Sequence, residues 1–182
     1  NIIVEEGITS IGEGAFSELI ILEKVEILGE ITEIGEWAFY GCPKLKEINI
    51  PDSVTVIGER AFGNCSSLEP INIPEKILEI GEWAFENCSG FKNWDLVLPD
   101  AIQKVSLGAF SGTQIKSITT PFLGVGPTGA DYTERYSNHV GYMFGDEQWS
   151  GSYAAYDSVS ERTYYLPKTL KTITITKQIN DN

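Results

Sequence analysis

Side chains able to support catalysis are few in this sequence and are scattered along it. His139 is the only histidine, and it lies in a glycine- and tyrosine-rich stretch, where a single imidazole is typical of a solvated or packing residue. Acid pairs occur at Asp146 and Glu147 and at Asp131 and Glu134, and either pair could act as general acid and base. Neighbouring acids are common on surface loops. We therefore predict that the chain is not an enzyme, and an enzyme acting on carbohydrate is the third alternative.

The cysteines, Cys42, Cys65 and Cys88, each come three residues after a phenylalanine. Neither these cysteines nor the single histidine has the spacing of metal ligands, so no metal and no cofactor is predicted. If the cysteines stack on neighbouring strands about 4.8 Å apart, they lie near the lower limit of disulfide reach. Their odd number, and Leu19 and Thr113 at the same place in the flanking copies, favour buried free thiols instead.

A row of four glutamates is the remaining candidate for metal chemistry: Glu13, Glu36, Glu59 and Glu82 recur at intervals of 23 residues. Stacked carboxylates repel one another, so a divalent cation could bridge them. Arg60 and the positive ends of short helices could also offset the repulsion, and the sequence favours this second explanation.

These side chains recur because the chain is built from a repeat whose motif is Ile-Gly-Glu-x-Ala-Phe. The motif ends at Phe16, Phe39, Phe62 and Phe85, and a degraded copy ends at Phe110. The last step is 25 residues instead of 23, which places two extra residues around 94–98. A period of this length indicates a solenoid in which each coil buries its apolar side against its neighbours.

Each repeat is predicted to form a strand, a turn and a short helix. The segment 45–51 alternates polar and apolar residues and ends at Pro51, as expected of a short strand. The Glu-x-Ala-Phe segment is interpreted as one or two helical turns. The position two residues after the phenylalanine suits a left-handed cap, and it holds Gly41, Asn64, Asn87 and Gly112.

Three segments follow from this pattern: about five coils at 1–121, the first one truncated, an aromatic and glycine-rich insertion at 122–166, and a last repeat strand with a tail at 167–182. The last strand begins at Leu170, 55 positions after its predecessor at Ile115. Because the first apolar residues already match the middle of a repeat, we expect the chain to be a piece of a longer protein.

The charge balance excludes several partners. Thirteen basic against 26 acidic side chains give a formal net charge of −13, which repels nucleic acid and anionic membrane surfaces. No stretch is apolar enough to insert directly into a membrane. The sequence makes no prediction about oligomeric state.

The repeat at 57–74, Ile-Gly-x-x-Ala-Phe-x-x-Cys-x-x-Leu-x-x-Ile-x-Ile-Pro, closely resembles the BspA-like leucine-rich repeats of bacterial surface proteins. The resemblance covers residues 1–121 and resumes at Leu170. Together with the repeat pattern, it predicts an α/β solenoid: a right-handed leucine-rich repeat stack with one parallel sheet of about seven strands and short helices opposite. The break in the period adds an irregular insertion near the C-terminus, which we expect to pack on the solenoid. The resemblance also implies a secreted or cell-surface location and adhesion to a host or neighbouring-cell protein or glycan.

Three surfaces are candidates for such binding. On the strand side, the repeat places the polar residues Asn49, Asn72, Asp95 and Thr119 in one row, although any exposed sheet face must be polar. A second row carries Trp37, Arg60 and Trp83, which could anchor a partner or, as a cation–π stack, join neighbouring coils. In the insertion, Tyr132, Tyr136, Trp149 and Tyr153 could bind a partner or cap the last coils.

The sequence thus predicts a non-catalytic interaction module. The alternative, from another class, is a structural spacer that displays other domains and binds nothing itself.

Overall fold

In a computed structural model, which describes residues 1–122, 140–157 and 162–177, the repeats form a β-solenoid of about five turns. In chain order the strands are β1 (Ile2–Val4), β2 (Ser10–Ile11), β3 (Lys24–Ile27), β4 (Glu33–Ile34), β5 (Glu47–Ile48), β6 (Val56–Ile57), β7 (Glu79–Ile80), β8 (Asp95–Val97), β9 (Lys104–Val105), β10 (Ser117–Thr120), β11 (Ser152–Asp157), β12 (Arg162–Pro167) and β13 (Thr172–Ile175).

The coils are joined by two parallel ladders instead of the single sheet predicted. One ladder consists of two three-stranded sheets, β1-β3-β5 and β8-β10-β13. We use the name strand face for the outward side chains of these strands and of the segment 70–73 between the two sheets. The other ladder is the five-stranded sheet β2-β4-β6-β7-β9, in which each strand consists of two residues and ends at the motif isoleucine, or at Val105 in the degraded copy. These ladders join neighbouring coils at two corners, and the motif turns add further hydrogen bonds between coils.

The motif phenylalanines form the centre of the core. Phe39, Phe62 and Phe85 are fully buried, and successive rings lie 5.3 Å apart and nearly parallel. The stack continues to Phe110 at 5.5 Å and to the half-buried Phe16 at 5.4 Å. Stacked rings of this kind add to the free energy gained by burying their area. The 23-residue step therefore produces one continuous core from coil to coil.

The predicted helices are wrong. A helix bonds each N–H to a carbonyl four residues earlier, whereas the Trp37 N–H donates to Glu59 O at 2.8 Å and the Phe39 N–H to Ala61 O at 2.7 Å, both in the next coil. The residue after the glutamate is also left-handed, with φ of 59° at Trp37 and 48° at Arg60. Glu-x-Ala-Phe is therefore a turn, and helix in the described ranges is confined to a 3-10 helix at Val140–Phe144.

The left-handed positions after the phenylalanine were predicted correctly, although no helix precedes them. Gly41, Asn64, Asn87 and Gly112 all have φ between 57° and 72°. These residue types enter that region at least strain.

The motif glycine is required by close approach between coils. A Cβ at Gly58 would lie 2.6 Å from Glu36 N, and one at Gly81 would lie 2.6 Å from Glu59 N. Both distances are shorter than side chains tolerate, so the coils can stack at this corner only where the residue has no side chain.

The first ladder is interrupted at Pro70. This residue would pair with β5, but it has no N–H to donate, and the segment 70–73 forms no strand. The strand face is consequently divided between β5 and β8.

A register correction follows on the far side of this break. Phe91 N–H bonds to Cys88 O as Leu68 N–H bonds to Cys65 O, and Trp94 O accepts from the next coil. The two extra residues are therefore at 92–93, immediately before the region around 94–98 in which they were predicted. They move Asp95 out of the predicted row.

Asp95 pairs with Ser117, whereas Val97 pairs with Thr119. Val97 thus occupies the place that the sequence assigned to Asp95.

The described part of the insertion replaces the turn of a further coil. Gly108 N–H donates to Tyr142 O at 2.9 Å and Phe110 N–H to Met143 O at 2.8 Å, as earlier coils do to their successors. Tyr142, Met143 and Phe144 are buried. The antiparallel pair β11–β12 then packs beside this turn, because the Tyr165 N–H in β12 bonds to the carbonyl of Gly145.

Among the described residues, no helix has the length and apolar composition needed to cross a membrane.

Candidate interaction surfaces

The strand face contains polar side chains that are already engaged within the solenoid. The Asn49 amide accepts from Ile27 N at 2.7 Å and donates to Ile27 O at 2.9 Å. These side-chain bonds continue the hydrogen bonding between the two coils beyond the end of β5, where the backbone pairing stops. Lys24 and Glu47 form an exposed ion pair at 3.2 Å. Asn49, a predicted binding residue, therefore links neighbouring coils through its side-chain hydrogen bonds, and the sequence did not predict this role.

Asp95 is engaged as well, on the other side of the break. Its carboxylate accepts from the Ser117 hydroxyl and from Lys116 Nζ at 3.2 Å. These two hydrogen bonds hold the pKa of Asp95 below its usual value. Thr119 is half-buried and lies one strand away. The four residues predicted as one row are thus separated into two groups by the break at Pro70.

A groove of about 510 Å³ crosses the strand face where β3, β5 and the segment 70–73 meet. Four polar side chains along it have no hydrogen bond or ion pair in the described part of the chain: Glu26, Lys46, Glu69 and Asn72. Of the predicted strand-face residues, Asn72 is exposed and is the one available here. The groove therefore offers two carboxylates, an ammonium group and an amide to a ligand.

The second row lies at the left-handed position of each turn, and we call Gly14, Trp37, Arg60, Trp83 and Gly108 the turn row. The Arg60 guanidinium carbon lies 5.0 Å from the Trp37 ring centre and 5.9 Å from that of Trp83. Its Nε is 3.4 Å from a Glu86 oxygen. The cation–π stack expected from the sequence is present, and all three of its side chains are half-buried.

Trp83 is held by glycines on its other side. A Cβ at Gly108 would lie 2.5 Å from the indole, and one at Gly145 would lie 3.1 Å from it. The ring therefore rests directly on the backbone of the last coil and of the insertion. This contact joins neighbouring coils, which was the structural alternative for the row.

The insertion presents its aromatic residues unevenly. Tyr153 and Tyr156 on β11 are exposed, whereas Trp149 is half-buried. The Trp149 Nε1–H is buried and has no hydrogen-bond partner among the residues that the structure describes. Two further predicted residues, Tyr132 and Tyr136, lie outside the described residues.

Of the residues weighed for catalysis, only Asp146 and Glu147 lie in the part of the chain that the structure describes. Asp146 and Glu147 are exposed, and His139, Asp131 and Glu134 lie outside the described residues.

The cysteines are free and buried, as predicted. Each thiol donates to a phenylalanine carbonyl of the preceding coil, from Cys65 to Phe39 O at 3.1 Å for example. Burial raises the pKa of Cys65 to about 12 and that of Cys88 well above its ordinary value. A thiol that stays protonated is a poor nucleophile and a poor metal ligand, so the column is structural.

The glutamate row lines a smaller groove, of about 260 Å³, beside the second ladder. Glu36, Glu59 and Glu82 lie along it, together with an ion pair of Lys104 with Glu79 at 2.8 Å. Within the described ranges, no group of three or more acidic, histidine or cysteine side chains is arranged to hold a metal ion. Arg60 lies 3.8 Å from Glu59 and offsets part of the negative charge.

Two parallel ladders, a buried phenylalanine column and a fixed 23-residue step define a leucine-rich repeat solenoid. Residues 9–124 match the sequence profile of the BspA type leucine-rich repeat region, in six copies. The chain belongs to this family.

Solved structures of bacterial leucine-rich repeat proteins are similar. A leucine-rich repeat protein of T. pallidum (TpLRR) is 29% identical with a TM-score of 0.60, and the alignment covers 64% of this chain and 56% of that one. A leucine-rich repeat protein from Bacteroides ovatus is 32% identical with a TM-score of 0.51, covering 62% of this chain and 35% of that one. The chain thus spans from about a third to just over half of these relatives' lengths. No curated protein matches it significantly.

Membership of this family characterises the chain as a protein-interaction or structural module. The family is generally non-catalytic.

Proposed function

We propose that the chain is a secreted or cell-surface interaction module that binds a protein or glycan of a host or neighbouring cell through its strand face, without catalysis. The observation that carries this proposal is the groove on the strand face, with its four unengaged polar side chains. The family supports the location, since BspA-type repeat proteins are typically found at the bacterial surface or secreted.

The groove suits a polar ligand. A site that supplies donors and acceptors without internal partners does not have to break its own hydrogen bonds when a ligand binds. Glu26 and Glu69 accept, Lys46 donates, and Asn72 does both. These residues come from three successive coils, so a ligand would extend along the solenoid axis.

A spacer remains the rival function, because the repeats bury a continuous core whether or not a ligand binds. A saturable ligand would decide between the two. The experiment is a screen of the full chain against matrix glycoproteins and a glycan array, with folding checked by circular dichroism.

The groove is tested with the double variant Lys46→Ala, Asn72→Ala. We expect it to bind any ligand found in the screen at least about tenfold more weakly, since two hydrogen-bonding groups, one of them charged, are lost. Lys76→Ala is the matched control, because Lys76 is exposed, has no ion pair in the described residues and lies outside the groove. Equal binding by the double variant and the control would exclude the groove, and no binding by the intact chain would favour the spacer.

A further inference from the structure

The turn row contains an internal example of how this fold binds a cation. Arg60 lies between the indoles of two neighbouring coils, and its guanidinium also lies near Glu59 and Glu86. The position therefore combines an aromatic face toward the next coil with nearby carboxylates. Both are groups that stabilise a planar cation.

The same position exists two coils earlier without a cation. A step of 46 residues places Gly14 where Arg60 stands, Trp37 where Trp83 stands and Glu13 where Glu59 stands. Tyr40 replaces Glu86, and its ring lies 4.7 Å from the Trp37 ring in a T-shaped arrangement, so Tyr40 covers part of the indole. The backbone is the same, because Gly14 has φ of 59° and its N–H donates to Glu36 O at 2.8 Å, while Arg60 has φ of 48° and its N–H donates to Glu82 O at 2.9 Å.

The space above Gly14 is open. Around the point where a Cβ would stand, the nearest atom is Ser17 Oγ at 3.8 Å. At the other end of the row the equivalent point above Gly108 is filled by the Trp83 ring at 2.5 Å. The two glycines therefore differ in function: one makes room for an indole of the chain itself, and the other leaves its position vacant.

The two coils that meet at this vacancy carry exposed acids without an ion pair. Glu13, Glu18 and Glu36 are exposed and form no ion pair in the described part of the chain. The chain as a whole carries 13 more acidic than basic side chains. A positively charged group approaching Trp37 at this position thus meets uncompensated carboxylates.

We propose that the vacancy above Gly14, between Trp37 and Glu13, binds an arginine side chain of a partner protein. A guanidinium is favoured because it is planar, stacks on indole and can hydrogen-bond to a carboxylate at its edge, as Arg60 does in its own coil. This surface is the turn row and not the strand face, so it stands or falls independently of the function proposed above.

The test is a titration of the full chain, labelled with ¹⁵N-tryptophan, with the tripeptide acetyl-Gly-Arg-Gly-amide and with its neutral citrulline counterpart. The four tryptophans give four indole N–H signals, and the signal of Trp37 is identified with Trp37→Phe. We expect this signal to shift saturably at millimolar peptide, with about fivefold tighter binding of arginine than of citrulline. No shift, or equal shifts with the two peptides, would overturn the proposal.

A pair of variants locates the site. Gly14→Arg fills the vacancy from within, in a backbone conformation that Arg60 already adopts, and should abolish the arginine-dependent shift. Gly12→Arg adds the same charge to the same coil outside the turn row and should preserve it. A shift that persists in Gly14→Arg would refute the assignment. If that variant does not fold, Glu13→Gln serves instead, and it should weaken arginine binding but not citrulline binding.

Discussion

Removing one ring from the phenylalanine column should reveal how strongly the coils depend on one another. Phe62 is fully buried and lies 5.3 Å from a ring on each side. Phe16 is half-buried and stacks on a single ring at 5.4 Å. Phe62→Ala and Phe16→Ala therefore remove the same atoms from an interior and a terminal position of one column.

The two variants should lose different amounts of stability, because the two rings are packed to different extents. Replacing a fully buried phenylalanine with alanine destabilises by about 3–5 kcal/mol, because transfer and cavity terms add, and two stacking contacts place Phe62 in the upper part of that range. Phe16 already exposes part of its ring and loses one contact, so Phe16→Ala should lower the free energy of unfolding by about 1–2 kcal/mol.

The measurement is urea unfolding followed by far-ultraviolet circular dichroism, with the slope of the transition compared as well as its midpoint. In a repeat array each coil is stabilised mainly by its neighbours, so a defect at Phe62 should also lower the slope by separating the two halves. Equal losses for the two variants, with unchanged slopes, would refute the view that the column couples the coils.

Two further predictions concern the motif glycine and the thiol column. Gly58→Ala should lower the free energy of unfolding by about 2–3 kcal/mol, since the new methyl group would lie 2.6 Å from Glu36 N. In the control Gly12→Ala the new methyl group meets nothing within 4 Å, so the free energy of unfolding should change by less than about 0.5 kcal/mol. Similar melting temperatures for the two variants would contradict the steric role of Gly58. The raised pKa of Cys65, about 12 in the folded chain against an ordinary 9.0, leaves the folded thiol protonated while the unfolded thiol ionises. The free energy of unfolding should therefore fall as pH rises from 9.0 toward 12. Between pH 8 and 10.5 it should fall by about 2 kcal/mol more in the wild type than in Cys65→Ala. Parallel pH profiles of the two proteins would show that the thiol is not buried in solution.

The sequence predicted the parts of the fold that depend on repetition. A residue type that returns every 23 positions must meet its own copy in a stack, so the phenylalanine core and the free thiols could both be inferred from spacing. The left-handed positions at Gly41 and Asn64 were also readable, because few other residue types adopt that conformation at low cost.

The predicted helices were wrong for a physical reason. A six-residue segment with an apolar pair at its end fits a helical turn as well as a tight turn, and local pattern alone does not say where its N–H groups bond. Gly14 and Gly108 in the same column as Trp37 were the available signal, since glycine there points to a positive φ.

The candidate surfaces were predictable only in part. The cation–π stack of Arg60 followed from one column of the repeat, whereas the engagement of Asn49 with the Ile27 backbone and the shift of Asp95 did not. Both depend on where a ladder breaks and on which of several residues is the extra one, and these are properties of the assembled coils.

By itself, the sequence determined the repeat, the family and the composition of each stacked row, because a fixed period converts spacing along the chain into contact between coils. The tertiary structure alone decided which side chains in a row remain available. Pro70 lacks an N–H and interrupts a ladder beside the groove, and two extra residues at 92–93 change the register. At Gly14 the absent side chain leaves open the position that Arg60 fills two coils later. Each effect depends on atoms from neighbouring coils, which no single repeat contains.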